Sequence, residues 1–120
     1  GGIFIDGAYS TVSSTSDLLT LVERYLAPDE LQDEVIRDAL QLSLTPLEQP
    51  NEQTIGLAFA WLYSKEQNLG VWQHKGAMPG FFTNVAFQPA SKTGIVVLSN
   101  CANSEAYDIG NALSFNLFRV

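Results

Sequence analysis

At about Ile55 the hydrophobic residues change period, and that change limits what the chain can fold into more than any other feature. Before it they recur every three to four residues, as one face of a helix requires; after it they alternate, as a strand with one covered face requires. In the first part, Ser14 is placed to accept a hydrogen bond from a first-turn amide, and Asp17, three residues on, can reach back to close a capping box. Leu18, Val22, Tyr25 and Leu26 then fall on one side of a helix. Pro28 restarts the chain, and Asp29 and Glu30 suit the positive end of a second helix. Leu31, Val35, Ile36, Ala39 and Leu40 continue it until Pro46 and Pro50 forbid it, so helices are expected over about 15–44.

In the second part, Leu57, Phe59, Trp61 and Tyr63 alternate with Ala58, Ala60 and Leu62, which predicts one strand from Ile55. A turn over Ser64–Asn68 leads to a short strand around Val71–His74, a Gly/Pro bend at Gly76–Gly80 and a strand over Phe81–Phe87. Gln88–Thr93 reads as a hairpin turn and Gly94–Ser99 as a buried apolar strand, so strands occupy about 55–100. Asn103 or Ser104 can cap a last helix, about 104–118, whose Ala106, Ile109, Leu113 and Leu117 form a stripe. Two helices, a meander of about four strands and a helix make an α+β fold, an antiparallel meander flanked by helices.

Composition narrows the function. The 120 residues suffice for one domain and carry 6 Lys+Arg against 13 Asp+Glu, a net charge of -7. With no basic run, the electrostatics that hold nucleic acid or an anionic membrane are missing, and no nucleic-acid partner is expected. One Cys, Cys101, cannot form an internal disulfide, and with one His it falls short of a zinc ligand set, so neither metal nor cofactor is expected. Asp29, Glu30, Asp33 and Glu34 read as a solvated first turn rather than a catalytic carboxylate pair. No glycine-rich phosphate loop follows a strand.

Three segments compete for chemistry. In His74-Lys75-Gly76-Ala77-Met78-Pro79-Gly80-Phe81 the lone His stands at a strand end before glycines that let a ligand approach the main chain. A hairpin with an incidental His is the bland alternative. Ser91-Lys92-Thr93-Gly94 contains a literal Lys-Thr-Gly triplet, yet it falls at the tip of a hairpin, where those residues serve the turn. The serines of Ser13-Ser14-Thr15-Ser16 lack a Lys three residues on, and helix capping explains them better.

Ser13-Ser14-Thr15-Ser16-Asp17-Leu18, Ile55-Gly56-Leu57-Ala58-Phe59-Ala60-Trp61, His74 to Phe81, and Gly94-Ile95-Val96-Val97-Leu98-Ser99-Asn100 together, in this order, resemble the class C β-lactamase family. That family includes D-alanyl-D-alanine peptidases and penicillin-binding esterases. The most specific part is His-x-Gly followed by Pro-Gly-Phe and, about a dozen residues later, Gly-Ile-Val-Val-Leu-Ser-Asn. The resemblance implies acyl transfer through a serine acyl-enzyme. It also implies that His74, Lys75 and Gly76 take the place of the third motif on the strand lining the site. His74 would face the substrate carboxylate or the catalytic Tyr, Lys75 and Gly76 would border the substrate, and the Ala77 backbone N–H would be an oxyanion donor.

The departure from the family pattern is large. Its nucleophile lies in Ser-x-x-Lys and its general base in Tyr-x-Asn; here no Ser is followed by that Lys, and Tyr9, Tyr25, Tyr63 and Tyr107 lack the Asn. Residues 1–120 are therefore expected to be a single partial domain, the C-terminal portion of a β-lactamase/transpeptidase-like fold, inert alone. Its partners would be the N-terminal remainder of the enzyme and a β-lactam, peptidoglycan peptide or ester, with an edge-strand dimer as a further expectation. By resemblance the location is periplasmic or extracytoplasmic. The competing reading is a non-catalytic binding module that keeps half of this fold.

Overall fold

The computed structural model describes residues 11–47, 55–66, 69–101, 103 and 105–118. Helix α1 spans Thr15–Leu26, and the Ser14 hydroxyl accepts from the Asp17 amide at 3.1 Å, the cap expected from the sequence. Val22 and Tyr25 are buried, while Leu18 and Leu26 are half-buried on the same side. The second helix differs from its sequence reading. Pro28–Glu30 forms only a 3-10 turn, and α2 starts at Glu34 and runs to Ser43. Its cap is Asp33, whose carboxylate accepts from the amides of Val35 and Ile36 at 3.0 and 3.1 Å. Val35 and Ile36, expected on a packed face, are 79% and 51% exposed. Contact with the rest of the chain comes instead through Leu40 and, just past the helix, Leu44.

Five strands form one antiparallel sheet in chain order: β1 Gly56–Leu57, β2 Leu62–Glu66, β3 Leu69–Met78, β4 Phe81–Gln88 and β5 Thr93–Ser99. The single strand expected from Ile55 is broken. Ala60 adopts a φ of 64°, and the Ala58 amide bonds back to the Trp61 carbonyl at 2.8 Å, so the chain folds over before β2. Burial decides it: this turn puts both Ala58 and Trp61 into the core, which strict alternation on a flat strand would not combine. The expected turn at Ser64–Asn68 shrinks, since Ser64, Lys65 and Glu66 pair with Val71, Gly70 and Leu69. The expected bend at Gly76–Gly80 shrinks likewise. Strand β3 continues through Lys75, Gly76 and Ala77, and only Pro79 and Gly80 turn, with Gly80 at φ 82°.

Alternation gives the sheet two covered faces. Under α1, the rings of Tyr25, Trp61 and Phe87 pack at centroid separations of 4.8–5.5 Å, with Trp72 against Phe87 at 6.3 Å. The Trp61 indole N–H donates to the Tyr25 hydroxyl at 3.2 Å, and that hydroxyl pairs with Ser43, so the polar ends of the cluster are satisfied. On the other face lies α3, Glu105–Leu117, over Val71, Ala86 and Ile95, with Phe118 closing its end. The Asn103 side chain accepts from the Glu105 amide at 3.2 Å; Ser104 and the Ala106 side chain lie outside the described residues. The stripe expected to pack this helix points outward instead: Ile109, Leu113 and Leu117 are 53%, 38% and 48% exposed. The inward side carries Gly110, against the buried Asn84 of β4, because a residue without Cβ lets helix and sheet approach closely. The architecture is α+β, as the change of period requires.

Candidate active-site edge

Strand β3 changes neighbours along its length, from β2 over Leu69–Gln73 to β4 over Trp72–Met78, and only Trp72 and Gln73 have both. Pairing with β2 ends at Leu62 opposite Gln73, whereas pairing with β4 runs from Trp72–Phe87 to Met78–Phe81. Because the β3–β4 turn has two residues, Met78 and Phe81 form a hydrogen-bonded pair, and so by alternation do Gly76–Thr83 and His74–Val85. The N–H and C=O groups of Lys75 and Ala77 therefore turn away from β4, toward the side where β2 has ended. No described strand pairs with them there.

Three groups meet at this edge. His74 lies on the α1 face, two residues beyond Trp72 and opposite Val85, and its imidazole is exposed. Gly76 shares that face and leaves it open; a Cβ there would stand 2.5 Å from the Thr83 hydroxyl. The Ala77 amide follows. The Lys75 side chain is not among them: it lies on the α3 face, where its ammonium donates to Asn111 at 2.9 Å and sits 5.5 Å from the centre of the Tyr107 ring. Lys75 can offer the edge its backbone alone.

Sequence reasoning missed what holds this segment from behind. Tyr107 donates its hydroxyl to the Gly76 carbonyl at 2.9 Å and meets Phe82 edge to face at 5.0 Å. No local pattern signals these bonds, since Tyr107 and Asn111 are 31 and 36 residues from their partners. The competing Lys92-Thr93-Gly94 triplet lies elsewhere. Lys92 caps a 3-10 turn at φ 51°, beyond the Gln88 end of β4, while the open edge lies toward the Phe81 end. Gly94 is packed under Val22 of α1. Ser14 is spent on its cap; Tyr9, with the other residues before Thr11, lies outside the described residues.

An exposed imidazole beside a strand edge with outward amides can accept or donate a proton and hydrogen-bond an anionic or carbonyl oxygen. The described residues hold no cluster of three His, Cys, Asp or Glu side chains that could bind a metal. No curated protein matches the chain significantly. The β-lactamase family model, however, matches residues 3–115, nearly the whole length, over the same helix–meander–helix order and through the His74 edge. The chain belongs to the β-lactamase family, within the serine β-lactamase and penicillin-binding superfamily.

Proposed function

We propose that this chain is the C-terminal portion of a class C-like serine hydrolase, supplying one wall of its acyl-transfer site. The observation that carries the reading is the second half of β3, where His74, Gly76 and the outward amide of Ala77 stand together on a strand edge without a described partner. In the complete enzyme a serine hydroxyl from the N-terminal remainder attacks the carbonyl of a β-lactam, a D-Ala peptide or an ester. The tetrahedral oxygen forms where the Ala77 N–H can donate to it, an interaction whose loss costs about 3 kcal/mol of transition-state stabilisation. Collapse expels the leaving amine or alcohol and leaves an acyl-enzyme that water releases. His74 meets the substrate carboxylate or the general base, and Gly76 keeps the edge clear of side chain.

The absence of Ser-x-x-Lys and Tyr-x-Asn from the sequence supports the division of labour. The 120 residues alone neither hydrolyse a chromogenic cephalosporin nor take up a labelled penicillin, and intact-mass spectrometry reads this directly. A stable acyl adduct on any serine of the chain overturns the reading. In the active protein containing this chain, His74→Ala lowers turnover far more than Lys92→Ala. Equal losses, or a larger loss at Lys92, would place the third motif at the other hairpin.

A further inference from the structure

We infer that Tyr107 is a positioning residue for the oxyanion donor, acting through the peptide bond between Gly76 and Ala77. This rests on the reading of the Ala77 amide given above. The carbonyl of Gly76 and the N–H of Ala77 belong to one planar unit and point in opposite directions. The N–H turns to the open edge, and the carbonyl turns inward, where the Tyr107 hydroxyl donates to it at 2.9 Å. The same oxygen accepts the ladder bond from the Thr83 amide, and a weaker donor, the Thr83 hydroxyl, lies 3.5 Å from it. Donation to a carbonyl draws electron density from the amide nitrogen, so the N–H on the far side becomes a stronger donor. It also fixes the tilt of the peptide plane, and with it the direction in which the N–H points.

The surroundings of Tyr107 fit this role. Its ring is held by Phe82, edge to face at an interplanar angle of 81°. The Lys75 ammonium, bound to Asn111 one turn further along α3, lies over the same ring. Helix α3 thus grips the half of β3 that β2 does not reach, through Tyr107 and Asn111, on the side away from His74. This stretch has a strand on one side only, and the contacts from α3 add to what β4 supplies in holding its peptide planes.

Tyr107→Phe keeps the ring, its contact with Phe82 and its place under Lys75, and removes only the hydroxyl. In the 120-residue chain, the proton resonance of the Ala77 amide then moves upfield, while the Lys75 amide moves less. In the active protein, kcat falls roughly two- to eightfold with KM nearly unchanged, because polarisation adds about 10–30% to a bond whose loss costs about a hundred- to a thousandfold. An unmoved Ala77 amide overturns the inference. So does an unchanged kcat in Tyr107→Phe when His74→Ala still lowers turnover. If His74→Ala and Tyr107→Phe both leave turnover intact while the amide still moves, the placement of the active site fails instead, and with it the catalytic meaning of the bond.

Discussion

The two halves of β3 differ more than their sequences do. Leu69–Gln73 pairs with β2, its last two residues with β4 as well, and here Val71 is buried and Trp72 lies against Phe87. His74–Met78 pairs on one side, and His74, Ala77 and Met78 are exposed. One strand therefore lies in the core at one end and leaves an exposed edge at the other, and the boundary is the residue at which β2 stops. A site built this way inherits the rigidity of the sheet without being buried in it. The difference predicts that the same kinds of substitution are costly in the first half and cheap in the second.

The largest effect is expected at Trp72. Its ring packs on Phe87 and lies 4.7 Å from that of Tyr63, and its N–H donates to the Leu44 carbonyl at 3.2 Å. Trp72→Ala should destabilise the chain by about 3–4 kcal/mol in urea titration, through lost contacts and an unpaired carbonyl. A loss under about 1 kcal/mol would mean that the first half of β3 is not the anchored half.

Two glycines sharpen the comparison because each lies on the α1 face of the same strand. A Cβ on Gly70 meets three ring carbons, Tyr63 Cε2 at 2.6 Å and Trp72 Cζ3 and Cη2 at 2.8 and 2.9 Å. Rings locked in a cluster cannot yield easily, and Gly70→Ala should cost about 1–2 kcal/mol net of the lower entropy of the unfolded alanine chain. On Gly76 the Cβ meets only a hydroxyl, Thr83 Oγ1, which can rotate away. Gly76→Ala should stay within about 0.5 kcal/mol. Paired urea midpoints of the two variants test the difference, and a reversed order would break the comparison.

What was legible in the sequence follows the same physics. The change of period separated helices from sheet because it counts covered faces, and Ser14 could be read as a cap because capping is local. The break at Ala60 could not, since a non-glycine at positive φ is set by the burial of Trp61 against residues far along the chain. Nor could the orientation of α3: its large apolar residues gave the right period and the wrong face, because Gly110 and Tyr107 face the sheet. The His74–Gly76 tripeptide stood out as residues. Gly and Pro nearby disguised it as a bend, whereas register with β4 keeps it in the strand. That Lys75 turns to the opposite face from His74 follows from the period of two once the segment is a strand, and from nothing before that.

The smallest expected effect on stability is at His74, and it tests the comparison most directly. Its side chain is exposed, stands on the half of β3 that β2 does not reach, and has no hydrogen bond or ring contact among those of the described residues. Removing such a group leaves no cavity and no orphaned partner, so His74→Ala should change the urea midpoint by no more than about 0.5 kcal/mol allows. A core histidine that happened to end its packing at a strand edge would behave otherwise, losing about 2 kcal/mol or more when cut back to alanine. If the variant is as stable as the parent protein and turnover of the active protein still falls, His74 is kept at this position by what it binds. If stability falls as far as in Gly70→Ala, then the second half of β3 is held by its side chains after all, and the division at Gln73 is not the boundary between core and site.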